Sequence, residues 1–324
     1  MSRLMRLIAQ QYAEHPTCVK LFCECNQDPG ITAGVLPLRL GAALHELVLE
    51  KINHSLVEVY PPHPASDEAL SNAVFSAIKS HEQFIREWLK SPPQTNEVRR
   101  AAPIIAGLNS CLARYPLPVM ISELGASAGF NLLLNRYSLD MGRNLQHASK
   151  PILTLSPEWM GLIPAQQPMH ITDRAGVDIN PLDPMDRSDY LRLLSYTWAD
   201  QCDRLDRIKS IAPHQITPVD KGDASQWLPN RLMAQPDQTL HFVFHTIELQ
   251  YFPQESKEKI IKTLNDAGKT ATNTRPLAYM SMEADDTLEG AKLTLQIWPK
   301  GTVYNVGRAD FHGRWVSWGH PNFG

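Results

Sequence analysis

The spacing of apolar residues along the chain changes near residue 116. Before that point apolar residues recur every three or four positions, which is the spacing of amphipathic helices. The segment 66–91 is an example, and Ser66 followed by two acids indicates that a helix begins there. Clear alternation of apolar and polar residues is missing from this part of the sequence. We therefore expect residues 1–115 to be helical.

After residue 116 short apolar runs alternate with helical segments. The run "LPVMISEL" lies between a proline and a glycine, which is typical of a buried parallel strand. Later runs predict strands that end near Asp178, before Gly222 and near His245, followed by a fifth strand, "RPLAYMSME". The segment "KLTLQIWPKGTVYNVGR" indicates a hairpin that turns at 299–301. This order predicts an α/β fold with a mainly parallel sheet and an antiparallel terminal hairpin.

The change of pattern also predicts the division of the chain. Residues 1–115 are interpreted as a helical N-terminal region or lid, and residues 116–324 as the domain that contains the sheet. Within that domain, residues at about 138–168 are rich in proline, glycine and serine, which indicates an insertion. Helical spacing over 187–211 predicts one long helix. A chain of 324 residues can accommodate two such parts.

Composition excludes several classes of protein. Hydrophobic residues make up 43% of the chain and charged residues 20%, so it can bury a core and is not disordered. The net charge of -3 argues against a dedicated nucleic-acid surface. No apolar run approaches the roughly 18 residues of a membrane span. We therefore expect a small-molecule partner, with neither nucleic acid nor membrane, and the sequence predicts no oligomeric state.

The first residues, "MSRLMRLIAQQYAEHP", lack the long apolar stretch and the cleavage site of a secretory signal. Five cysteines, an odd number, are most simply reduced thiols in a cytoplasmic protein. One histidine and three cysteines lie close together near the start: His15, Cys18, Cys23 and Cys25. Their spacing matches no common zinc pattern, so we expect no metal site.

The stretch "ELGASAG" at 123–129 fits two kinds of chemistry. Gly125, Ser127 and Gly129 match G-x-S-x-G, the turn that presents the nucleophile of a serine hydrolase. In that interpretation Ser127 attacks, and its partners are Asp286 or Asp310 with His312. A hydrolase, however, normally has several strands ahead of this turn and a glycine-rich oxyanion stretch, and neither is found in the sequence.

A cofactor-binding turn explains more of the sequence. Gly125 permits a tight turn, Ser127 offers a backbone N–H and a hydroxyl, and Gly129 permits close helix packing. Acids lie near the ends of three successive predicted strands: Glu123, Asp178 and Asp223. A carboxylate after the second strand can accept both hydroxyls of a ribose. After the third strand, Asp223 can accept the amine of adenine while Ala224 supplies a backbone N–H.

The segments "ELGASAG", "GVDINP" and "GDASQWL", with the final hairpin, resemble motifs I, II and III of S-adenosylmethionine-dependent methyltransferases of the seven-stranded Rossmann-like fold. A closer resemblance, through "QTNEVRR", "ELGASAGFNLLLNRY", "RAGVDINPLDP", "FHTIELQYFP" and "FHGRW", is to an uncharacterised bacterial family, domain of unknown function 2332. The resemblance implies S-adenosylmethionine as cofactor and methyl transfer to an unidentified acceptor. It assigns cofactor binding to Asn96, Glu123, Gly125, Ser127, Gly129, Asp178, Asp223 and Ala224.

The catalytic candidates follow the predicted fourth strand. His245 is the first candidate for a general base, and Glu248 is the second. Tyr251 can line the acceptor pocket. Asn96 either closes over the cofactor or caps a helix. The segment "HTIELQYFP" lacks the D/N-P-P-Y/F sequence of amino-group methylases, so the sequence leaves the acceptor open.

We therefore expect an enzyme, a methyltransferase. The first alternative is a non-catalytic protein that binds S-adenosylmethionine or a nucleotide as a sensor. The second alternative is the hydrolase with Ser127 as nucleophile. An NAD-dependent oxidoreductase fits less well, because its turn is usually G-x-G-x-x-G.

Overall fold

The structure is a computed structural model, and it describes residues 1–25, 35–90, 93–215, 217–287 and 289–319. Within these residues the chain divides into two compact units. The first comprises residues 1–95 and 184–212, and the second comprises residues 96–183 and 213–324. Residues 184–212, which the sequence pattern assigned to the sheet domain, therefore belong to the first unit.

The described residues contain the following α-helices: α1 Ser2–Gln11, α2 Pro16–Cys25, α3 Leu36–Leu49, α4 His54–Val59, α5 Asp67–Ser80, α6 Glu82–Lys90, α7 Ala101–Arg114, α8 Arg187–Ser195, α9 Cys202–Ile211, α10 Ala224–Met233 and α11 Gln254–Gly268. The strands are β1 Val119–Leu124, β2 Tyr137–Asp140, β3 Leu145–Gln146, β4 Leu153–Leu155, β5 Glu158–Gly161, β6 Ile171–Asp178, β7 Val219–Lys221, β8 Leu240–Thr246, β9 Leu277–Glu283, β10 Ala291–Trp298, β11 Thr302–Ala309 and β12 Trp315–Trp318. None of these helices is both long and apolar enough to span a membrane.

The first unit is helical, as predicted for most of the N-terminal region. Ser66 is the N-cap of α5, since its hydroxyl accepts a hydrogen bond from the N–H of Ala69 at 3.1 Å. The apolar faces of the helices form one core, whose fully buried side chains include Leu4, Leu44, Leu47, Leu56, Tyr60 and Ile78. The long helix predicted over 187–211 is wrong in one respect, because the chain forms two helices, α8 and α9, with a break at 196–201.

The second unit contains a nine-stranded sheet in the order β5-β12-β11-β10-β9-β8-β1-β6-β7. The pairs from β9 to β7 are all parallel, whereas β9 to β12 form an antiparallel meander. The mixed α/β class and the terminal hairpin are therefore confirmed. The prediction of seven strands is wrong, because β12 extends the meander and β5, from the predicted insertion, pairs with β12 at the edge.

Both faces of the parallel part of the sheet are covered. On one face, residues of β1, β8 and β9 pack with α10 and α11 around Leu124, Val243 and Leu277. On the other face α7 approaches β9 so closely that a methyl group at Gly107 would lie 2.1 Å from the sulfur of Met280. All six residues of β1 are buried as a result. A strand buried on both faces needs a continuous apolar run, which is why the sequence pattern located it.

The order of the parallel strands also determines where a ligand can bind. From β1 the chain adds β6 and β7 on one side and β8 and β9 on the other. In open α/β sheets this reversal creates a crevice at the carboxyl ends of the two central strands. Here those strands are β1 and β8, and the turns that follow them carry the residues singled out in the sequence.

Candidate functional site

The glycine turn after β1 contains three residues with a left-handed backbone conformation. Each is separated from the next by one residue with an ordinary conformation. The φ angles of Gly125, Ser127 and Gly129 are 70°, 51° and 71°. Glycine adopts such angles freely, but serine does so rarely, so Ser127 is strained. The 3₁₀ helix Phe130–Arg136 follows directly where an α-helix was expected. The turn therefore has a specific shape that needs support from outside.

Asp178, the last residue of β6, supplies that support. One carboxylate oxygen accepts the N–H of Ser127 at 2.8 Å, and the other accepts the N–H of Asn180 at 2.8 Å. The carbonyl of Val177 also accepts the N–H groups of Gly125 and Ala126. Predicted as a ribose ligand, Asp178 thus has a structural role that the sequence did not indicate. Each of its oxygens accepts one of these two hydrogen bonds.

Within the described part of the chain, three buried polar atoms around this turn have no hydrogen-bond partner: Oε2 of Glu123, Oγ of Ser127 and Oδ1 of Asn131. We call these three residues the glycine-turn cluster. Glu123 is 2% exposed, and its other oxygen accepts the side-chain N–H of Asn131 at 3.2 Å. Buried polar atoms are nearly always paired in folded proteins, so three unpaired atoms in one place point to a ligand.

The glycine-turn cluster lies in an acidic environment. Burial raises the pKa of Glu123 well above its usual value, and the charges of Asp178 and Glu248 raise it further. Burial likewise raises the pKa of Glu248 to about 8, with additional contributions from Asp178 and Glu283. Arg100 opposes both shifts. A cation placed here would therefore lower the pKa of both carboxyl groups and favour their ionised forms.

Glu248 lies directly over the glycine turn. A methyl group at Gly125 would lie 1.9 Å from Cγ of Glu248, so the glycine leaves room for this side chain. The preceding residue, Ile247, has a φ of 55°, which is unusual for a β-branched residue. The carbonyl of Met282 holds it by accepting the N–H of Ile247 at 2.8 Å. Strain of this kind is often found at functional sites.

His245, the predicted general base, is fully buried and has a partner at each ring nitrogen. Nδ1 lies 2.7 Å from Oε1 of Glu283, and Nε2 lies 2.7 Å from the hydroxyl of Tyr279. We call these three residues the His245 cluster. Glu283 also accepts the N–H groups of Glu248 and Leu249 at 2.8 and 3.0 Å. The role of His245 as a base stays a prediction, and a proton could reach it only through one of its two partners.

The charge on Glu283 fixes the arrangement of protons in the His245 cluster. Burial by itself would raise the pKa of Glu283, but the hydrogen bonds from His245 and the two backbone N–H groups outweigh it, and the pKa is lowered. An ionised Glu283 can only accept hydrogen bonds, so Nδ1 of His245 donates to it. Every polar group in this cluster is satisfied.

Two other predicted residues lie beside the glycine turn. Asn96 is buried, and its side-chain oxygen accepts the N–H of Phe130 at 2.9 Å, so it holds the start of the 3₁₀ helix rather than capping a helix of its own. Tyr251 lies one turn beyond Glu248 with 49% of its surface exposed. The charge of Glu248 contributes, after burial, to a raised pKa of Tyr251. Tyr251 therefore lies at the solvent side of the site.

Asp223 and Ala224 form the start of α10. Asp223 is the N-cap, and it accepts the N–H of Ser225 at 2.7 Å and the hydroxyl of Ser256 at 3.1 Å. The N–H of Gly222 in turn donates to the carbonyl of Asp178 at 2.9 Å, which joins the ends of β6 and β7. The three acids predicted from the sequence are thus at the carboxyl ends of adjacent strands.

Sequence reasoning missed Arg100 and Glu283. Arg100 donates from Nε to the carbonyl of Phe311 at 2.8 Å and from Nη1 to the carbonyl of Thr246 at 3.2 Å. The loop that carries Phe311 is held by Asp310, which pairs with Arg314 at 2.7 Å. Gly313 packs on the backbone of Arg99, where a methyl group would lie 2.6 Å from its carbonyl carbon. Asn96 of "QTNEVRR" and His312 of "FHGRW" are candidates from the sequence, but nothing in the sequence shows that the two segments meet.

The residues of the alternative hydrolase are not brought together as a triad. The Ser127 hydroxyl has no hydrogen-bond partner, and Asp310 pairs with Arg314. His312 lies with Nδ1 at 3.9 Å from Glu97, and Asp286 is exposed. No group of three or more metal-ligating side chains lies together among the residues that the structure describes. The side chain of Cys25, named with His15, Cys18 and Cys23, lies outside the described residues.

The chain belongs to the family DUF2332, described as an uncharacterized protein conserved in bacteria, whose model matches residues 1–318. This match confirms the family that the sequence motifs resemble. No curated protein and no solved structure has significant similarity to the chain. The resemblance to methyltransferases therefore stays a prediction.

Proposed function

We propose that this protein is an S-adenosylmethionine-dependent methyltransferase that acts on a small-molecule acceptor. The observation that carries the proposal is the glycine-turn cluster, in which Glu123, Ser127 and Asn131 each have a buried, unpartnered polar atom. This cluster lies at the carboxyl end of β1, beside the point where the strand order reverses.

The chemistry of the site fits this cofactor. S-adenosylmethionine carries two positive charges, on an ammonium group and on a sulfonium, and one carboxylate. Oε2 of Glu123 would accept the ammonium, and the hydroxyl of Ser127 would donate to the carboxylate. The ribose hydroxyls suit Asp178, and the adenine amine suits Asp223. The cationic ligand would also relieve the repulsion among Glu123, Asp178 and Glu248.

One side chain has to move for this cofactor to reach the glycine turn. Glu248 fills the space against Gly125, so a ligand that packs on this glycine requires rotation of Glu248 about its side-chain bonds. Part of the Glu248 side chain reaches solvent, and this rotation therefore needs no change in the core. The backbone at Ile247, with its unusual φ angle, sets the position from which the side chain of Glu248 extends.

When bound, the cofactor supplies a methyl group on a sulfonium that a nucleophile can attack in line. The protein's contribution is to hold donor and acceptor in that geometry and to exclude water. Glu248, with its pKa raised to about 8, is the residue placed to take the acceptor's proton. Tyr251, which lies one turn beyond Glu248, would line the acceptor site.

Equilibrium dialysis with S-adenosylmethionine and with S-adenosylhomocysteine tests the proposal. We expect saturable binding of the first, and a loss of at least about tenfold in affinity in Glu123→Gln, because a charge-assisted hydrogen bond is lost. The matched control is Asp286→Asn, which neutralises an exposed carboxylate of the same unit and leaves the affinity unchanged. Absence of binding by both compounds in the folded protein would contradict the proposal.

Turnover separates the enzyme from the sensor alternative. The protein and S-adenosylmethionine with a labelled methyl group are incubated with a panel of small amines, alcohols, thiols and carboxylic acids. Transfer of label that is lost in Glu248→Gln supports the enzyme. Binding of the cofactor with no transfer to any acceptor of the panel favours the sensor.

A further inference from the structure

The helical first unit contains a buried guanidinium that is only partly hydrogen-bonded. Arg39 in α3 is only 4% exposed. Its Nη1 donates to the carbonyl of Leu89 at 2.6 Å, near the end of α6. Its Nε and Nη2 are buried and have no hydrogen-bond partner among the residues that the structure describes. These two atoms form the edge of the guanidinium that presents two parallel N–H groups.

A buried guanidinium in this state is costly. Arginine does not lose its charge in proteins, so burial cannot be relieved by release of a proton. The N–H groups of Nε and Nη2 have also lost their hydration and have gained no hydrogen bond in its place, which adds a further cost in free energy. The arrangement that removes both costs is a carboxylate, whose two oxygens match the two N–H groups of this edge.

A second arginine of the same unit strengthens this interpretation. The guanidinium of Arg192 lies 4.4 Å from the centre of the Trp88 ring, and its Nη2 lies 3.5 Å from the hydroxyl of Tyr196. Its Nε is also buried without a partner. Trp88 and Tyr196 are themselves 5% and 1% exposed. The unpaired Nε of Arg192 therefore belongs to a guanidinium that lies beside buried aromatic rings.

The charges around Tyr196 are out of balance. Burial raises the pKa of Tyr196, while the positive charges of Arg192 and Arg39 lower it and Glu46 raises it. The pKa of Glu46 is itself raised, mainly by burial. Two permanent cations thus act on this position together with one carboxyl group that is reluctant to ionise. An additional negative charge would restore the balance.

We propose that Arg39 binds the carboxylate of a small ligand through Nε and Nη2, with Arg192 as a second cation beside the rings of Trp88 and Tyr196. The ligand's carboxylate forms two parallel hydrogen bonds to Arg39. This site is independent of the proposed methyl transfer, since all its residues belong to the first unit.

Acetate, the smallest stable carboxylate with an apolar group, is the probe. The thermal midpoint of the full chain is measured as sodium acetate replaces sodium chloride at constant ionic strength. We expect a saturable rise in the midpoint, because a ligand that binds only the folded state stabilises it. In Arg39→Lys the acetate concentration at half-effect rises at least about tenfold, since lysine cannot form the two parallel bonds.

The matched control is Arg86→Lys in the same unit. Arg86 already pairs with Glu24 and Glu82, so this change leaves the acetate response as in the unchanged protein. Should Arg39→Lys not fold, the Nε–H signals of arginine in the unchanged protein provide the second measurement. A saturable shift of one buried Nε–H signal with acetate supports the proposal. Equal responses to acetate and chloride, or an unchanged response in Arg39→Lys, would overturn it.

Discussion

The glycine-turn cluster and the His245 cluster lie at the ends of neighbouring strands and differ in one respect. Both bury carboxyl groups that the surrounding chain shields from water. In the His245 cluster Glu283 accepts three hydrogen bonds, and both ring nitrogens of His245 have partners. In the glycine-turn cluster one oxygen of Glu123 and the hydroxyl of Ser127 have none.

This difference gives a criterion for assigning a role to a buried polar group. A satisfied network stabilises the fold, because each member offsets the desolvation of the others. An unsatisfied group destabilises the free protein and gains when a ligand supplies its partner. By this criterion we expect Glu283 to act mainly in stability and, in the proposed function, Glu123 to act mainly in binding.

The largest expected effect is the loss of Glu283. The change Glu283→Ala leaves His245 and the N–H groups of Glu248 and Leu249 without their acceptor. Removing one partner from a buried charged network costs about 3 kcal/mol, and we expect the free energy of unfolding to fall by that amount. Urea denaturation measures it. The exposed Asp286→Ala serves as the control, and an equal loss in both variants would remove the distinction between the clusters.

The next effect is on binding rather than stability. In Glu123→Gln the free energy of unfolding changes by less than about 1 kcal/mol, because the substitution keeps the shape of the side chain and removes a carboxyl group whose pKa burial raises. Affinity for S-adenosylmethionine falls at least about tenfold. Glu283→Gln has the opposite pattern: the free energy of unfolding falls more than in Glu123→Gln, and the affinity falls less. A Glu123→Gln protein that binds normally but unfolds easily would show that Glu123 belongs with the satisfied cluster.

Glu248, which lies over the glycine turn, and Glu283, in the His245 cluster, have opposite effects on stability as pH changes. The pKa of Glu248 is raised to about 8, so the folded state holds a proton that the unfolded state releases above its pKa of about 4.3. Stability contributed by Glu248 is therefore lost as pH rises from about 4.3 towards 8. The lowered pKa of Glu283 acts in the other direction, and its contribution is lost as pH falls below about 4.3.

Denaturation curves at a series of pH values check this prediction. In Glu248→Gln the decline in stability between pH 5 and pH 8 becomes shallower, while the loss of stability on the acid side is retained. The size of the change is moderate, since part of the Glu248 side chain reaches solvent. A curve for Glu248→Gln that parallels the unchanged protein from pH 5 to pH 8 would show that Glu248 is ionised throughout.

The smallest expected effect comes from Ser127→Ala. Its hydroxyl has no partner, so stability changes by less than about 0.5 kcal/mol. Affinity for S-adenosylmethionine falls about fivefold, the loss of one hydrogen bond of about 1 kcal/mol. The same variant tests the hydrolase alternative: labelling of the unchanged protein by a fluorophosphonate, abolished in Ser127→Ala, would favour a nucleophilic serine.

The sequence predicted the parts of the fold that depend on local pattern. The buried run of β1 and the cap at Ser66 are continuous in sequence and follow from apolar spacing and turn chemistry. The edge strand β5 could not be predicted, because its pairing with β12 joins segments more than 150 residues apart. The same is true of the break between α8 and α9, which depends on packing rather than on helix propensity.

The site shows the same limit. The acids at the ends of β1, β6 and β7 were found because a strand end and a carboxylate are both visible in the sequence. Glu283 was not found, since its role arises from contact with His245 and with a turn one strand away. Arg100 reaches the site through the carbonyls of Thr246 and Phe311, which no spacing rule connects.

The most direct test of S-adenosylmethionine binding at the glycine-turn cluster is a calorimetric titration. The unchanged protein is titrated at pH 7 in two buffers of different ionisation enthalpy. We expect saturable binding with a heat that differs between the buffers, because a cation lowers the raised pKa values of Glu123 and Glu248, and that of Glu248 lies at about 8. Binding without such a difference would place the ligand away from these carboxyl groups. A folded protein that gives no binding heat in either buffer would contradict the account.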